Sequence, residues 1–194
     1  MQLSLQERHT MSKIALTPSA TGTGTFTISS PATNTDRTLL ALFEVFEYRK
    51  GDLYWTAAAA HKVRGKIAGA IHKNGYRKIE FADRKYGAHQ IVFALHYGYI
   101  PNFIDHINSN KSDNRIENLR VATKSQNGYN RGKNACNTSG CKNVYYRTDT
   151  KNWRVSMKVS GKYKCFGSYA DKETAELVAY EARNKYHGEF ANHV

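Results

Sequence analysis

The apolar positions along the chain fall into blocks whose period changes from two to helical and back. Phe43-Glu44-Val45 and Phe46-Glu47-Tyr48 each alternate apolar and polar side chains, which predicts a strand over 43–48. Gly51-Asp52 turns it and Leu53-Tyr54-Trp55 returns. Tyr76 to Phe81 reads as a further strand, entered through Asn74-Gly75. In Ala88 to Tyr97 the spacing of Ile91, Val92, Phe93 and Leu95 is helical, with Gly98 as the stop and Pro101 beyond it. A short apolar strand follows at Ile104 to Asn108, carrying Asp105 and His106. After a polar loop, Ile116, Leu119 and Val121 are the next apolar anchors. Thr123-Lys124-Ser125-Gln126 has the form of a capping box, so a helix starts there. The segment thus reads strand, loop, strand, helix.

Beyond it, residues 128–140 are rich in Gly and Asn and read as a linker. Asn143 to Arg147, Trp153 to Val159 and Tyr163 to Phe166 read as three strands, with turns at Lys151-Asn152 and Ser160-Gly161. Asp171 caps a helix whose Ala175, Val178, Ala179, Ala182 and Tyr186 share a face, and Gly188 ends it. In the middle strand Trp153, Val155, Met157 and Val159 alternate with Arg154, Ser156 and Lys158, giving one apolar and one cationic face. Residues 1–38 differ from all this: they are rich in Thr, Gly and Ser with few apolar side chains to bury, which predicts a flexible or weakly β tail. The expected organisation is α+β, with a tail (1–38), a first domain (39–131), a linker (132–142) and a C-terminal domain (143–194).

Charge sharpens this picture. The chain carries Lys+Arg 29 against Asp+Glu 16, a net +13. The tail holds three basic groups and two acidic ones, so +12 falls on residues 39–194. A surplus of this size, with thirteen tyrosines, favours a nucleic-acid partner, because each phosphate neutralised releases condensed counterions. No stretch approaches the length of apolar residues that a membrane span needs, and no basic start with an apolar core marks a secretion signal. Three cysteines, an odd number, point to reduced thiols in a cytosol. Cys136 and Cys141 lack the second pair that a structural zinc site requires.

Phosphodiester hydrolysis needs an activated water, a cation for the developing charge and groups that position both. An adjacent Asp105 and His106, pointing to opposite sides of a strand, suit a division between metal and water. The pattern Ala88-His89-Gln90-Ile91-Val92, Ile104-Asp105-His106-Ile107-Asn108, Asp113 to Arg120 and Ala122-Thr123 to Gln126-Asn127 resembles the HNH endonuclease family, in the branch found in phage homing enzymes. The resemblance implies a ββα-metal core. By position it makes His106 the general base and Asn118 the residue whose side chain orients the His ring. It makes Asp105 and Asn127 the metal ligands; their two oxygens suit Mg²⁺, or Mn²⁺, with waters completing the shell. Arg115 and Arg120 are candidate phosphate contacts.

Asn137 to Tyr180 resembles the AP2/ERF DNA-binding domain, on Asn137-Thr138-Ser139-Gly140, Val144, Trp153-Arg154, Phe166-Gly167-Ser168-Tyr169 and the helix start Glu173-Thr174-Ala175. Such a domain lays a three-stranded antiparallel sheet, backed by one helix, in the major groove. The resemblance places Tyr145, Arg147, Arg154, Ser156, Lys158, Tyr163 and Cys165 on the DNA side. The stretch from Ile14 to Thr38 resembles a short segment of phage tail-fibre and related virion proteins.

These readings lead to a metal-dependent homing-type endonuclease acting on double-stranded DNA, phage-encoded and working in the cytoplasm of an infected host, with no membrane and no obligate protein partner. The competing readings are a DNA-binding regulator with an inactive nuclease core, which predicts a broken Asp-His-Asn-Asn set, and a virion structural protein, which predicts far more fibre sequence. The target site, nicking versus double-strand cutting, monomer versus dimer, the role of the tail and a start at Met11 are left open.

Overall fold

The computed structural model of the chain describes residues 14–16, 26–28 and 34–194. These form two compact units, one comprising the described residues up to Gly69 with Ile79–Ile100, the other Ala70–Lys78 with Pro101–Val194. Helices and strands are mixed throughout, an α+β protein. Among the described residues no helix is long and apolar enough to cross a membrane.

In the first unit β1 (Ile14–Leu16) pairs antiparallel with β2 (Phe26–Ile28), Ile14 opposite Ile28. Residues 1–13, 17–25 and 29–33 of the expected tail, with Met11 and most of the tail-fibre-like stretch, lie outside the described residues, and residues 34–38, also expected in the tail, begin a helix. Helix α1 (Asn34–Val45) then runs directly into β3 (Phe46–Arg49). The alternation expected to make a strand from Phe43 therefore yields a helix as far as Val45. Leu39, Leu42 and Phe46, spaced i, i+3, i+7, are buried, and this longer apolar stripe outweighs three alternating positions. β3 returns as β4 (Asp52–Trp55) through Lys50-Gly51, both at positive φ (49° and 97°), as a two-residue hairpin of matching twist requires.

Strands β5 (Ala70–Ile71), β6 (Arg77–Phe81) and β7 (Arg84–Gly87) form a three-stranded sheet in that order. Helix α2 spans Ala88–Tyr97, as the periodicity predicts. Gln90 accepts a hydrogen bond from the Gly87 N–H (2.8 Å), and Gly98 ends the helix in the left-handed conformation (φ 74°). Ile91, Val92, Phe93 and Ala94 of α2, with Leu42 and Leu53, are core residues of this unit.

In the second unit β8 (Ile104–His106) pairs antiparallel with β9 (Leu119–Val121), and α3 (Lys124–Tyr129) follows. Thr123 and Gln126 close both halves of the expected capping box. The C-terminal part is a sheet ordered β10 (Val144–Arg147), β11 (Asn152–Val159), β12 (Lys162–Tyr169), all antiparallel, packed on α4 (Lys172–His187). Val144, Val155, Ala175 and Ala179 are the core between sheet and helix, flanked by Trp153, Phe166 and Tyr169. The third strand runs three residues further than its apolar pattern suggests, past a register shift at Val155/Ser156 where Val155 faces Gly167 and Ser156 faces Cys165. Gly167 (φ 124°) is required there, since a Cβ would sit 2.5 Å from Tyr169 Oη.

The 132–142 segment is pinned rather than free. Lys133 N–H donates to the Val194 carbonyl (3.1 Å), and buried Ser139 donates to the Val144 carbonyl (2.6 Å). Lys142 Nζ donates to the Tyr129 and Asn192 carbonyls (2.8 and 2.9 Å). Its Gly/Asn content predicts a linker, and side chains at Lys133, Ser139 and Lys142 hold that segment in place.

Candidate active site

The register of the short β8–β9 ladder sets the site. Asp105 lies directly opposite Arg120, and His106 opposite Leu119. Opposed side chains on one face of a ladder meet, and Arg120 donates from Nε and Nη2 to Asp105 Oδ2 at 2.9 and 2.8 Å. Asn130, just past α3, donates from Nδ2 to both Asp105 oxygens (3.0 Å each) and to the His106 carbonyl (2.7 Å). Asp105, His106 and Asn130 are all buried.

The loop between the two strands is held by its own amides. Asn118 accepts from the Asn108 N–H (2.9 Å) and donates from Nδ2 to Asn108 Oδ1 and the Asp113 carbonyl (2.9 and 2.8 Å). Asn114, 1% exposed, places Oδ1 3.1 Å from His106 Nε2 while its Nδ2 donates to the Ser112 carbonyl. With Nδ2 so directed, Oδ1 is the atom that faces the ring, so it accepts from His106 Nε2–H and the imidazole lone pair lies on Nδ1. Burial pushes the His106 pKa down, opposed by the Asn114 hydrogen bond and the Asp105 charge. Asp113 is held well below the usual carboxylate range, first by its hydrogen bond from Arg115.

Asp105 and His106 border one open concavity of about 770 Å³, with Tyr76, Asn127 and the cations Lys111 and Arg131 among its walls. Consecutive strand residues were expected to face opposite ways; β8 ends at His106, so the cavity wraps the strand end and meets both. Tyr76 comes from the β5–β6 turn, its ring 5.8 Å from that of His106, and Lys111 Nζ lies 5.2 Å above the tyrosine face.

Residues 86–129 match a family model described as HNH endonuclease. Over 123 residues the chain is 32% identical to Protein 3.8 of Escherichia phage T7, an alignment covering 61% of this chain and 97% of that protein. The chain contains an HNH endonuclease domain. Over 145 residues it is also 26% identical to a protein of Acanthamoeba polyphaga mimivirus named as an uncharacterized HNH endonuclease, covering 73% of this chain and 74% of the relative. No solved structure matches it. The protein is thus a nuclease, with DNA as its substrate.

HNH nucleases generally use a divalent metal, and the donors of this endonuclease fit one. Among the described residues, Asp105 Oδ2 takes three hydrogen bonds, two from Arg120 and one from Asn130, whereas Oδ1 takes one. Asn127 borders the same cavity and is half-buried. Among the described residues no group of three or more His, Cys, Asp and Glu could hold a metal ion; a carboxylate and an amide suit a hard cation that keeps most of its waters. Cys136 and Cys165 are exposed free thiols, and Cys141 donates to the Glu176 carboxylate.

The remaining sequence candidates of the HNH endonuclease fall in two places. Arg115 is engaged with Asp113 on the loop surface (2.8 Å). Arg120 is no free phosphate arm: its side chain is 15% exposed and its third nitrogen, Nη1, donates to the Glu189 carbonyl at 2.7 Å. Its position opposite Asp105 made the ion pair the cheaper use of the charge. The other candidates lie on the sheet of the C-terminal part. Tyr145 pairs with Arg154, Ser156 with Cys165, and Lys158 with Tyr163 in register, so they ride the face opposite the Val155–Met157 core side. Tyr163 is 80% exposed, and Arg147 is ion-paired with Asp149.

The sequence reading missed two asparagines. Asn114 stands inside the quoted Asp113-Asn114-Arg115 run, where burial of a polar residue was the missing signal. Asn130 was grouped with the linker, and nothing in its neighbours announced a partner 25 residues upstream.

Proposed function

We propose that the protein is a homing-type, metal-dependent endonuclease that cleaves double-stranded DNA in the cavity bordered by Asp105, His106 and Asn127. The observation that carries this reading is that one cation-rimmed concavity collects a carboxylate, an imidazole and an amide at the spacing the HNH pattern demands. Asp105 and Asn127 would hold Mg²⁺ or Mn²⁺, and the ion would supply stabilisation of the charge that develops on the scissile phosphate and the leaving oxygen. His106 Nδ1 takes a proton from the attacking water; a neutral imidazole is the form burial favours. Asn114 holds the ring through Nε2, and Asn118 acts on it at one remove by fastening the 107–113 loop. Lys111 and Arg131 receive the phosphates flanking the cut.

The C-terminal sheet and helix form a ββα-metal nuclease's second grip on DNA, in the manner of an AP2/ERF-like domain. Three antiparallel strands backed by one helix, with Tyr145, Arg154, Lys158 and Tyr163 on the outer face, support that assignment. A phage product would meet its substrate in the host cytoplasm, and relatives in a phage and a giant virus support that setting.

Supercoiled-plasmid cleavage tests the reading. With Mg²⁺ the wild-type protein nicks or linearises the plasmid, chelation with EDTA stops it, and His106→Ala abolishes it. Equal cleavage by wild type and His106→Ala would overturn the assignment of the base.

A further inference from the structure

Asp105 is held by a residue that is itself held by the far end of the chain. The Arg120 guanidinium spends Nε and Nη2 on Asp105 Oδ2 and Nη1 on the Glu189 carbonyl, and its Cζ lies 3.7 Å from the centroid of the Phe190 ring. Phe190 is 3% exposed, in the 3-10 turn Gly188–Phe190 that follows α4. The second holder of Asp105 is treated likewise: Asn192 Nδ2 donates to the Asn130 carbonyl at 2.9 Å and to Ser109 Oγ at 3.0 Å. Both donors to the Asp105 carboxylate among the described residues, Arg120 and Asn130, are therefore gripped by residues 189–192.

We propose that the C-terminal turn is a positioning element of the nuclease centre, in which Phe190 and the Glu189 carbonyl clamp Arg120 so that Asp105 presents Oδ1 to the metal. The inference rests on the reading of Asp105 as a metal ligand. An arginine fixed on one carboxylate oxygen fixes the plane of the carboxylate and leaves the other oxygen directed. An arginine with a loose third nitrogen and no ring beneath it lets the carboxylate turn. Outer partners of this kind typically govern metal affinity or activity by about 10–100-fold. The C-terminal part then has a role in hydrolysis besides any contact it makes with DNA.

The test uses the full chain with Phe190→Leu, which keeps buried apolar volume but removes the ring face, Phe190→Tyr, which keeps the face, and Asp105→Asn as control. Mn²⁺ binding is read directly by electron paramagnetic resonance, DNA binding by fluorescence anisotropy in EDTA, and nicking as a function of Mn²⁺ concentration. The wild type binds Mn²⁺ and Asp105→Asn loses that binding. Phe190→Leu binds it about 10-fold more weakly, needs correspondingly more Mn²⁺ for half-maximal nicking and binds DNA in EDTA as the wild type does. Phe190→Tyr restores both metal readouts. If Phe190→Leu binds Mn²⁺ as the wild type does, or Phe190→Tyr is as impaired as Phe190→Leu, the clamp is wrong while Asp105 remains a ligand. If Asp105→Asn retains Mn²⁺ binding, the ligand reading itself fails and the clamp with it. Should Phe190→Leu not fold, Arg120→Lys carries the same test, keeping the charge while breaking the bridge to the Glu189 carbonyl. It too must weaken Mn²⁺ binding, and wild-type affinity overturns the proposal.

Discussion

His187, the last residue of α4, stacks flat on Tyr129 at the end of α3, ring centroids 3.8 Å apart and planes 6° from parallel. The stack joins the helix after the HNH strands to the helix behind the C-terminal sheet. It also sets a pH dependence. His187 Nε2 lies 2.9 Å from the Lys158 carbonyl, so it carries the proton there, and Nδ1 is buried without a hydrogen-bond partner. Protonating Nδ1 would bury a donor with no acceptor, near Lys142 and Arg183. Burial pushes the pKa below the usual histidine value, opposed by the hydrogen bond to the Lys158 carbonyl and reinforced by those cations. A histidine with a depressed folded pKa binds more protons when unfolded, so its contribution to stability is complete above about pH 6.5 and is lost as pH falls from there through the folded pKa. Thermal unfolding between pH 8 and pH 5 should show this loss in the wild type. His187→Phe keeps the stack and should flatten that part of the profile; an unchanged profile would place the dependence elsewhere.

Legibility of the sequence followed the range of the forces involved. Helix α2, the capping box at Thr123 and the three C-terminal strands rest on local periodicity and turn residues, and they stand where the pattern puts them apart from the extension of the third strand to Tyr169. The α1–β3 junction was misplaced because Leu39 and Leu42 extend an apolar stripe that the two short alternating runs conceal. From Asp105 to Asn127 the order strand, loop, strand, helix was readable because its elements are close together in the chain. The supports of Asp105 were not: Arg120 was visible only as a charge, and Phe190 and Asn192 meet the site through tertiary folding across about sixty to seventy residues.

Asn130 is the most connected side chain near Asp105, with Nδ2 shared between the carboxylate and the His106 carbonyl. Asn130→Ala removes these donors inside a buried pocket. The expected cost is about 1–3 kcal/mol of folding stability, the range for leaving a buried charged acceptor short of a partner. Urea unfolding measures it. Nicking should fall as well under conditions where the variant stays folded. A variant as stable as wild type would mean that water replaces the amide.

The Asn114 amide makes a prediction with a defined sign. Its hydrogen bond to His106 raises the pKa that burial lowers. As the proposed general base, His106 must be neutral, so cleavage should decline as pH drops through its folded pKa, below the ordinary value of about 6.5. Asn114→Ala removes the raising contribution and frees the ring. The rate at pH 8 should fall about tenfold or more, since a mispositioned base forfeits part of the 10²–10⁴-fold that general-base catalysis supplies. The acid limb should move to lower pH. A rate loss with an acid limb shifted upward would contradict the hydrogen-bond assignment.

The outer face of the C-terminal sheet offers cations whose uses differ. Arg147 is already committed to Asp149, whereas Lys158 is exposed beside Tyr163, its register partner. If this face lies against the DNA backbone, each phosphate contact removed should lower the slope of log affinity against log salt by roughly 1. Lys158→Ala should therefore weaken binding and flatten the slope by about that amount, measured by anisotropy in EDTA from low to moderate salt. Arg147→Ala should change it less, because Asp149 competes for the same guanidinium. Tyr163→Ala removes an exposed ring without altering charge, so it should weaken binding while leaving the slope in place. Equal slopes for wild type and Lys158→Ala would mean that the DNA meets the protein through the cations around the cavity, Lys111, Lys124 and Arg131, instead of through the sheet.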